Sequence, residues 1–215
     1  RETQTIHRIL VHPSNPDVVY VAAVGQLFGA NPERGVFKTV DGGRTWEHIL
    51  YIDDDTGATD LVMDLENPDV LYAATYQRRR TGWGLNGGGA GSGLWKTEDG
   101  GANWSQVTGN GLPRGTMGRV GLALSRSNSN VLYALIEVAA DHELGEDAEA
   151  DPERSGVWRS TDRGASWEFR SNHNNRPMYY SLIRVDPNDE NVIYTGGSAL
   201  SRSEDGGRTF AELPG

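Results

Sequence analysis

The chain has 215 residues, no cysteine, and 30 acidic against 20 basic side chains, which gives a formal charge of -10. This charge would repel a phosphate backbone, so nucleic acid is not an expected ligand. The absence of cysteine excludes a disulfide framework, thiol catalysis and Cys-ligated zinc. The longest apolar run, residues 18–24, has seven residues. A bilayer needs about 20, so we expect no transmembrane segment in this chain.

A spaced pattern, Ser/Thr-x-Asp-x-Gly-x-x-Trp/Phe, occurs four times, at residues 39–46, 97–104, 160–167 and 203–210. We call these segments the Asp turns. In a hairpin, a short carboxylate can accept hydrogen bonds from turn amides while glycine supplies a positive φ. We therefore predict a structural and not a catalytic role for the recurring residues, which are Asp41, Asp99, Asp162, Asp205, Trp46, Trp104, Trp167 and Phe210.

Short alternating apolar runs flank each Asp turn, and a second turn rich in Pro, Asn and Asp precedes a run that carries a tyrosine. Each repeat therefore contains four strands, and no stretch shows a helical stripe. Four strands at this period predict an all-β fold, a β-propeller of four-stranded antiparallel blades. We expect a single propeller segment over 1–215, with blades at 1–51, 52–108, 109–171 and 172–215, and inner strands near 6–12, 61–65, 120–124 and 182–186.

The Asp turns resemble the Asp-box, or BNR, repeat of sialidases, xyloglucanase-type glycoside hydrolases and sortilin-like (VPS10-type) propellers. Segments 55–64 and 76–80 resemble, in particular, large secreted bacterial BNR-repeat or sortilin-like glycosyl hydrolases. That resemblance implies a secreted, periplasmic or cell-surface location. It also implies more than four blades, so we expect the chain to be part of a larger propeller.

Topology places the Asp turns on one face of such a propeller and the long connections on the other, which we call the loop face. Three groups on this face are candidate ligand-binding residues. The first blade-to-blade loop carries Asp53, Asp54, Asp55 and Asp60; a Gly-rich insertion opens with Arg78, Arg79, Arg80 and Trp83; and Arg176, Tyr179 and Tyr180 enter the innermost strand of blade four. Aromatic side chains beside charges suit a sugar or a protein partner. Alternatively, the three arginines form ion pairs with the acidic loops, and Asp53, Asp54 and Asp55 are solvated turn residues.

For two further segments of the loop face, we predict no ligand-binding role. Residues 84–93 are rich in glycine but lack the Lys-Ser/Thr that follows a phosphate-binding loop, so they predict a flexible insertion. The connection from 137 to 155 is densely acidic and has no apolar stripe, which indicates a solvated loop.

A glycosidase needs two carboxyl groups on either side of the scissile bond, and the sequence locates at most one. Arg119, Arg176, Tyr179 and Tyr180 suggest a sialidase, but the Arg-Ile-Pro signature is missing. We expect no metal and no cofactor. These patterns favour a non-catalytic scaffold for protein interaction or assembly, whose partner is another protein or the remaining blades of the parent chain. The alternative is the substrate-binding part of a glycoside hydrolase that acts on polysaccharide.

Overall fold

The computed structural model describes residues 3–139 and 155–214, which contain strands and no helix. Within that part of the chain, no helix could cross a membrane and no three His, Cys, Asp or Glu side chains are placed to hold a metal ion. The strands are β1 Ile6–Val11, β2 Val19–Ala23, β3 Gly35–Thr39, β4 Glu47–Leu50, β5 Thr56–Met63, β6 Leu71–Thr81, β7 Gly84–Gly87, β8 Gly93–Thr97, β9 Ser105–Val107, β10 Met117–Leu124, β11 Leu132–Val138, β12 Gly156–Ser160, β13 Glu168–Ser171, β14 Leu182–Val185, β15 Ile193–Gly196, β16 Leu200–Ser203 and β17 Ala211–Glu212.

The strands form four antiparallel sheets in the orders β1-β2-β3-β4, β5-β6-β8-β9, β10-β11-β12-β13 and β14-β15-β16-β17, and β7 adds to β6. The predicted all-β fold of four-stranded antiparallel blades is confirmed. The first strands of successive sheets pack side by side, β1 with β5, β5 with β10, and β10 with β14. These four strands are therefore the inner strands, and together they surround an axis.

The hydrophobic core lies between the blades. The cluster around Leu61 combines residues of the first two blades, the cluster around Leu122 joins the second and third, and the cluster around Ile183 joins the third and fourth. The second strands β6 and β11 lie between neighbouring blades, and their segments Leu71–Tyr76 and Leu132–Val138 are buried throughout. A strand covered on both faces needs a continuous apolar run, which explains why these segments do not alternate with polar residues.

The second strand of each of the first three blades also carries a tyrosine that reaches the next blade. The hydroxyl of Tyr20 donates to the Gly100 carbonyl at 3.1 Å, and that of Tyr72 donates to the Arg163 carbonyl at 2.8 Å. Both acceptors belong to Asp turns. The aromatic residues of the later Asp turns, such as Trp167, pack in the same inter-blade clusters. The Asp turns thus attach each blade to the one before it, and Trp46 of the first blade, which has no preceding blade within the described residues, is 45% exposed.

The hydrogen bonds inside the Asp turns follow one scheme. In the first, Oδ1 of Asp41 accepts from the amides of Arg44 and Thr45, each at 2.9 Å. The buried hydroxyl of Thr39 donates to the same carboxylate and accepts from the amide of Gly43 at 2.9 Å. The hydrogen bonds from the Thr45 hydroxyl and amide and from Thr39 lower the pKa of Asp41 to about 2. The carboxylate of Asp41 thus serves as a hydrogen-bond acceptor within its turn.

Four sequence-based placements differ from the structure. Asp60 lies in the inner strand β5 and not in a loop, because β5 begins at Thr56, opposite Gln77 of β6. Residues 176–180 precede β14, in the connection, and do not enter the strand. Part of the predicted flexible insertion forms β7, whose residues pair with the extended end of β6. Glu137 lies within β11, so the predicted loop begins later; the acidic run from 141 to 153 lies outside the described residues.

The two end blades expose apolar side chains. Ile9 and Val11 of β1 are 60% and 54% exposed, and Leu200 of β16 is 51% exposed. Within the described residues, β14 and β1 do not pack against each other as the successive inner strands do. The four blades thus form an open arc. Exposed apolar sheet faces of this kind are normally covered by another element.

Candidate functional site on the loop face

The structure joins the three predicted groups of the loop face. Arg79 forms an ion pair with Asp55, so the first and second groups are in contact. Nη1 of Arg80 donates to the hydroxyl of Tyr179 at 3.1 Å, which links the second group to the third. The guanidinium of Arg176 lies over the Tyr179 ring, 5.2 Å from its centroid. Residues from blades two and four therefore form one continuous surface.

A buried arginine, Arg34, holds the loops of this surface together. Its side chain is completely inaccessible, and it donates to the carbonyls of Asp55, Arg78, Gln26 and Gly29 at 2.7 to 3.1 Å. Burial lowers the pKa of this guanidinium. Four hydrogen bonds to backbone carbonyls fix three separate segments at one point. The sequence did not predict this role, because no local pattern distinguishes a buried arginine before a strand from an exposed one.

The hairpin of β6 and β7 presents Trp83, which is 91% exposed. The groove beside it has a volume of about 440 Å³ and is lined by Asp55, Gln77, Arg78, Arg79, Thr81, Trp83, Gly84, Leu85 and Asn86. A full indole face at the tip of a paired hairpin, next to amide, hydroxyl and charged side chains, offers both a stacking surface and hydrogen-bonding groups. The groove is therefore suited to a ligand with one apolar face and many hydroxyl groups.

A second depression, the axial pocket, lies where the inner strands begin. It has a volume of about 240 Å³ and is lined by Ile6, His7, Arg8, Thr59, Asp60, Arg119, Val120, Gly121, Tyr180, Ser181, Leu182 and Arg184. Three inner strands carry a register shift here, between Ile6 and Arg8, between Ala58 and Asp60, and between Met117 and Val120. Such bulges redirect the side chains within them. His7, Thr59 and Arg119 lie within these shifts and line the pocket.

Asp60 links all four inner strands at the bottom of this pocket. Its carboxylate accepts from Nε of Arg8 at 2.8 Å, from the amide of Leu122 at 3.0 Å and from the amide of Leu61 at 2.9 Å. Nη1 of Arg184 lies 3.7 Å away. Because the carboxylate is only 7% exposed and fully engaged, it is a structural link and is not free to act as an acid or a base.

Several ionisable residues near the pocket have shifted pKa values, among them His7 and Glu137. Burial, together with the positive charges of Arg119 and Arg78, lowers the pKa of His7 to about 4, so the ring is neutral at pH 7. Burial raises the pKa of Glu137 to about 7, although its Oε2 accepts from the amide of Arg119 at 2.8 Å. The buried hydroxyl of Tyr76 makes no hydrogen bond within the described residues. Buried groups of this kind are more frequent at functional sites than elsewhere.

We expect Glu137→Gln to stabilise the protein at high pH. The folded state keeps the Glu137 proton up to about pH 7, whereas the unfolded chain releases it at the ordinary value of 4.5. Stability from this group is complete below pH 4.5 and is lost as the pH rises to 7. Glutamine stays neutral, so the free energy of unfolding at pH 8 should exceed that of the wild type by up to about 3 kcal/mol.

Urea unfolding at pH 5 and pH 8 measures this effect. The difference between Glu137→Gln and the wild type should shrink to less than about 1 kcal/mol at pH 5. The exposed residue Glu47 provides the control, and Glu47→Gln should change neither value appreciably. A gain for Glu137→Gln that is equal at both pH values would contradict the assigned protonation.

Comparison with known proteins places the fold. No protein-family model matches the chain. A xyloglucanase of Hypocrea jecorina is 38% identical over 76 residues, which cover 29% of this chain and 9% of that protein. The GH74 xyloglucanase from Xanthomonas campestris superposes with a TM-score of 0.60 at 18% identity, over 96% of this chain and 29% of that chain. The Niastella koreensis GH74 enzyme gives a TM-score of 0.61 at 16% identity, over 93% of this chain and 29% of that chain. The chain thus spans less than a third of the length of each of these three proteins. The likeness to the two solved structures establishes that its four sheets are blades of a β-propeller.

Proposed function

We propose that this chain is the substrate-binding part of a glycoside hydrolase that acts on polysaccharide, and that its loop face holds the glycan. The observation that carries the proposal is the groove beside Trp83. Its exposed indole can stack on a pyranose ring, and Gln77, Asn86 and Arg79 can bond to ring hydroxyls. The matched segment of the Hypocrea jecorina xyloglucanase supports a carbohydrate ligand over the protein-docking scaffold that the sequence favoured.

The described residues support binding more than hydrolysis. Hydrolysis needs a protonated carboxyl group and a second carboxylate across the scissile bond. Asp60 is fully engaged by arginines and amides, and Asp55 is paired with Arg79. Glu137 holds a proton near neutral pH but is buried beneath the surface. We therefore place the missing catalytic carboxylates in other blades of the parent polypeptide.

The exposed ends of the arc agree with this proposal. Further blades of the same polypeptide would cover Trp46 and the apolar side of β1, as the second blade covers Tyr20. Polysaccharide substrates of hydrolases are mostly extracellular, so the proposed location of this chain is secreted, periplasmic or cell-surface. No sortilin-like role is needed to account for these features.

Affinity electrophoresis in gels containing xyloglucan or another β-linked glucan tests the proposal. Trp83→Ala should bind about tenfold more weakly, because loss of an aromatic anchor typically costs more than 1 kcal/mol. Raising the salt concentration should have little effect on the retention of the wild type, because stacking on a neutral sugar is not screened. The matched control is Trp46→Ala, which removes an exposed indole from the opposite face and should leave retention unchanged.

Two outcomes would contradict the proposal. One is the absence of retention by every polysaccharide in a broad panel. The other is an equal loss of retention in Trp83→Ala and Trp46→Ala, which would show that the indole of the loop face is not the contact. A pull-down from the native extract could instead recover a protein partner. If replacing Arg78, Arg79 and Arg80 by alanine abolished that binding, the protein-interaction scaffold would replace glycan binding as the proposed function.

A further inference from the structure

Three contacts of one kind join the four blades, and a tyrosine of the earlier blade takes part in each. The hydroxyls of Tyr20 and Tyr72 donate to carbonyls of the next Asp turn, and that of Tyr133 donates to the Glu190 carbonyl of blade four at 2.8 Å. Lys38 of β3 lies over the Tyr20 ring, 5.3 Å from its centroid, and donates to the same carbonyl as Tyr20 at 2.8 Å. We call the side of a blade that carries this tyrosine its trailing face, and the opposite side its leading face.

The trailing face of blade four carries the same groups as those of the earlier blades. Tyr194 of β15 corresponds to Tyr20 in the repeat, and the guanidinium of Arg202 on β16 lies over its ring, 5.9 Å from the centroid. Unlike the three earlier tyrosines, Tyr194 donates its hydroxyl to no residue in 3–139 or 155–214. Leu200 corresponds to the fully buried Val36 of blade one but is half exposed. This face is therefore one half of an inter-blade contact.

The leading face of blade one carries the other half of the contact. Ile9 and Val11 of β1 are more than half exposed, whereas the corresponding residues of blade two, Leu61 and Met63, are buried against blade one. The carbonyl of Gly42 has the position of the acceptor in the second Asp turn, and no preceding blade within the described residues supplies its donor. Apolar side chains and a turn carbonyl thus stand together on this face, as they do where blade two receives blade one.

We infer that the trailing face of blade four binds the leading face of blade one of a second copy of this chain. The two faces match in apolar surface and in hydrogen-bonding groups, because they are the two halves of a contact that occurs three times within the chain. A contact between unlike faces closes a ring where its geometry allows and otherwise propagates to longer assemblies. Further blades of the parent polypeptide would use the same two faces, and a second copy supplies them to this 215-residue chain. The inference does not depend on glycan binding.

Sedimentation velocity of the 215-residue chain over a range of concentrations tests the inference. We expect the wild type to associate as its concentration rises. Leu200→Glu on the trailing face and Ile9→Glu on the leading face should each weaken association at least about a hundredfold, because a carboxylate would be buried against apolar surface. An equimolar mixture of these two variants should form a complex of two chains and none larger, because one pair of unlike faces remains intact.

Two further variants separate this contact from general stickiness. Tyr194→Phe removes only the hydroxyl and should weaken association about fivefold per contact. The control is Phe28→Glu, which adds the same charge at an exposed side chain of the loop face and should leave association unchanged. All of these side chains are partly exposed, so the melting temperatures of the monomers should equal that of the wild type.

Two results would overturn the inference. One is a wild type that stays monomeric at every concentration at which it is soluble, which would mean that the two end faces do not bind each other. The other is a wild type that associates while the mixture of Leu200→Glu and Ile9→Glu stays monomeric, because that outcome indicates a contact between like faces.

Discussion

Asp60→Ala is expected to lower the free energy of unfolding by about 3 kcal/mol, because it removes the acceptor shared by all four inner strands. The amides of Leu61 and Leu122 would lose their acceptor in the interior. The guanidinium of Arg8 would keep its charge with no carboxylate beside it, although partial exposure to solvent limits that cost. A loss of this size is a large fraction of the stability of a typical domain.

Urea unfolding monitored by tryptophan fluorescence measures the loss. The matched control is Asp54→Ala. It removes an exposed carboxylate to which, among the described side chains, only the hydroxyl of Tyr51 donates, so it should change the urea midpoint little. Asp60→Asn keeps one acceptor oxygen, so its urea midpoint should lie between those of Asp60→Ala and Asp54→Ala. If Asp60→Ala changed neither the urea midpoint nor the dependence of the unfolding free energy on urea concentration, the carboxylate would not hold the inner strands together.

Gly121→Ala is expected to destabilise the protein by about 3 kcal/mol or to prevent its folding. A Cβ at this position on β10 would overlap the carbonyl oxygen of Ser181, which belongs to the next blade. Ser181 cannot move away easily, because its backbone has a φ of 37° and its hydroxyl donates to the Pro177 carbonyl at 2.6 Å. Backbone atoms must therefore shift, and overpacking of this kind typically costs 1 to 3 kcal/mol or more.

The control for this variant is Gly82→Ala. Gly82 lies in the turn between β6 and β7, has no heavy atom within 4 Å of an added Cβ, and does not have a left-handed backbone. Thermal unfolding should show a clearly lower melting temperature for Gly121→Ala and no change for Gly82→Ala. A melting temperature of Gly121→Ala equal to that of the wild type would mean that the two blades separate without cost and are not tightly joined at this point.

The repeated pattern was sufficient to predict the blades and their inner strands, because both depend on local properties. The Asp turns combine a carboxylate, a glycine with positive φ and an aromatic residue within eight positions, and the structure shows the same hydrogen bonds in each. Alternation of apolar residues marked the strands on either side. Local pairing across a short turn does not require knowledge of the rest of the fold.

The candidate site could be predicted only in part. The residues that the sequence selected at 53–55, 78–80 and 176–180 do come together, because the topology brings loops of one face side by side. The roles of Asp60 and Glu137 were not predictable, since each depends on the residues that bury it. Sequence analysis placed both in loops, where a carboxylate is solvated and keeps its ordinary properties.

What the sequence by itself determined is the repeating unit: four blades of four strands, joined by Asp turns. Only the tertiary structure decided where charge is concentrated, because β-bulges in three separate inner strands turn His7, Thr59 and Arg119 towards one axis. A bulge is a property of pairing between strands and not of one strand's composition. The burial of Arg34 likewise depends on contacts between residues far apart in the chain, which no local pattern records.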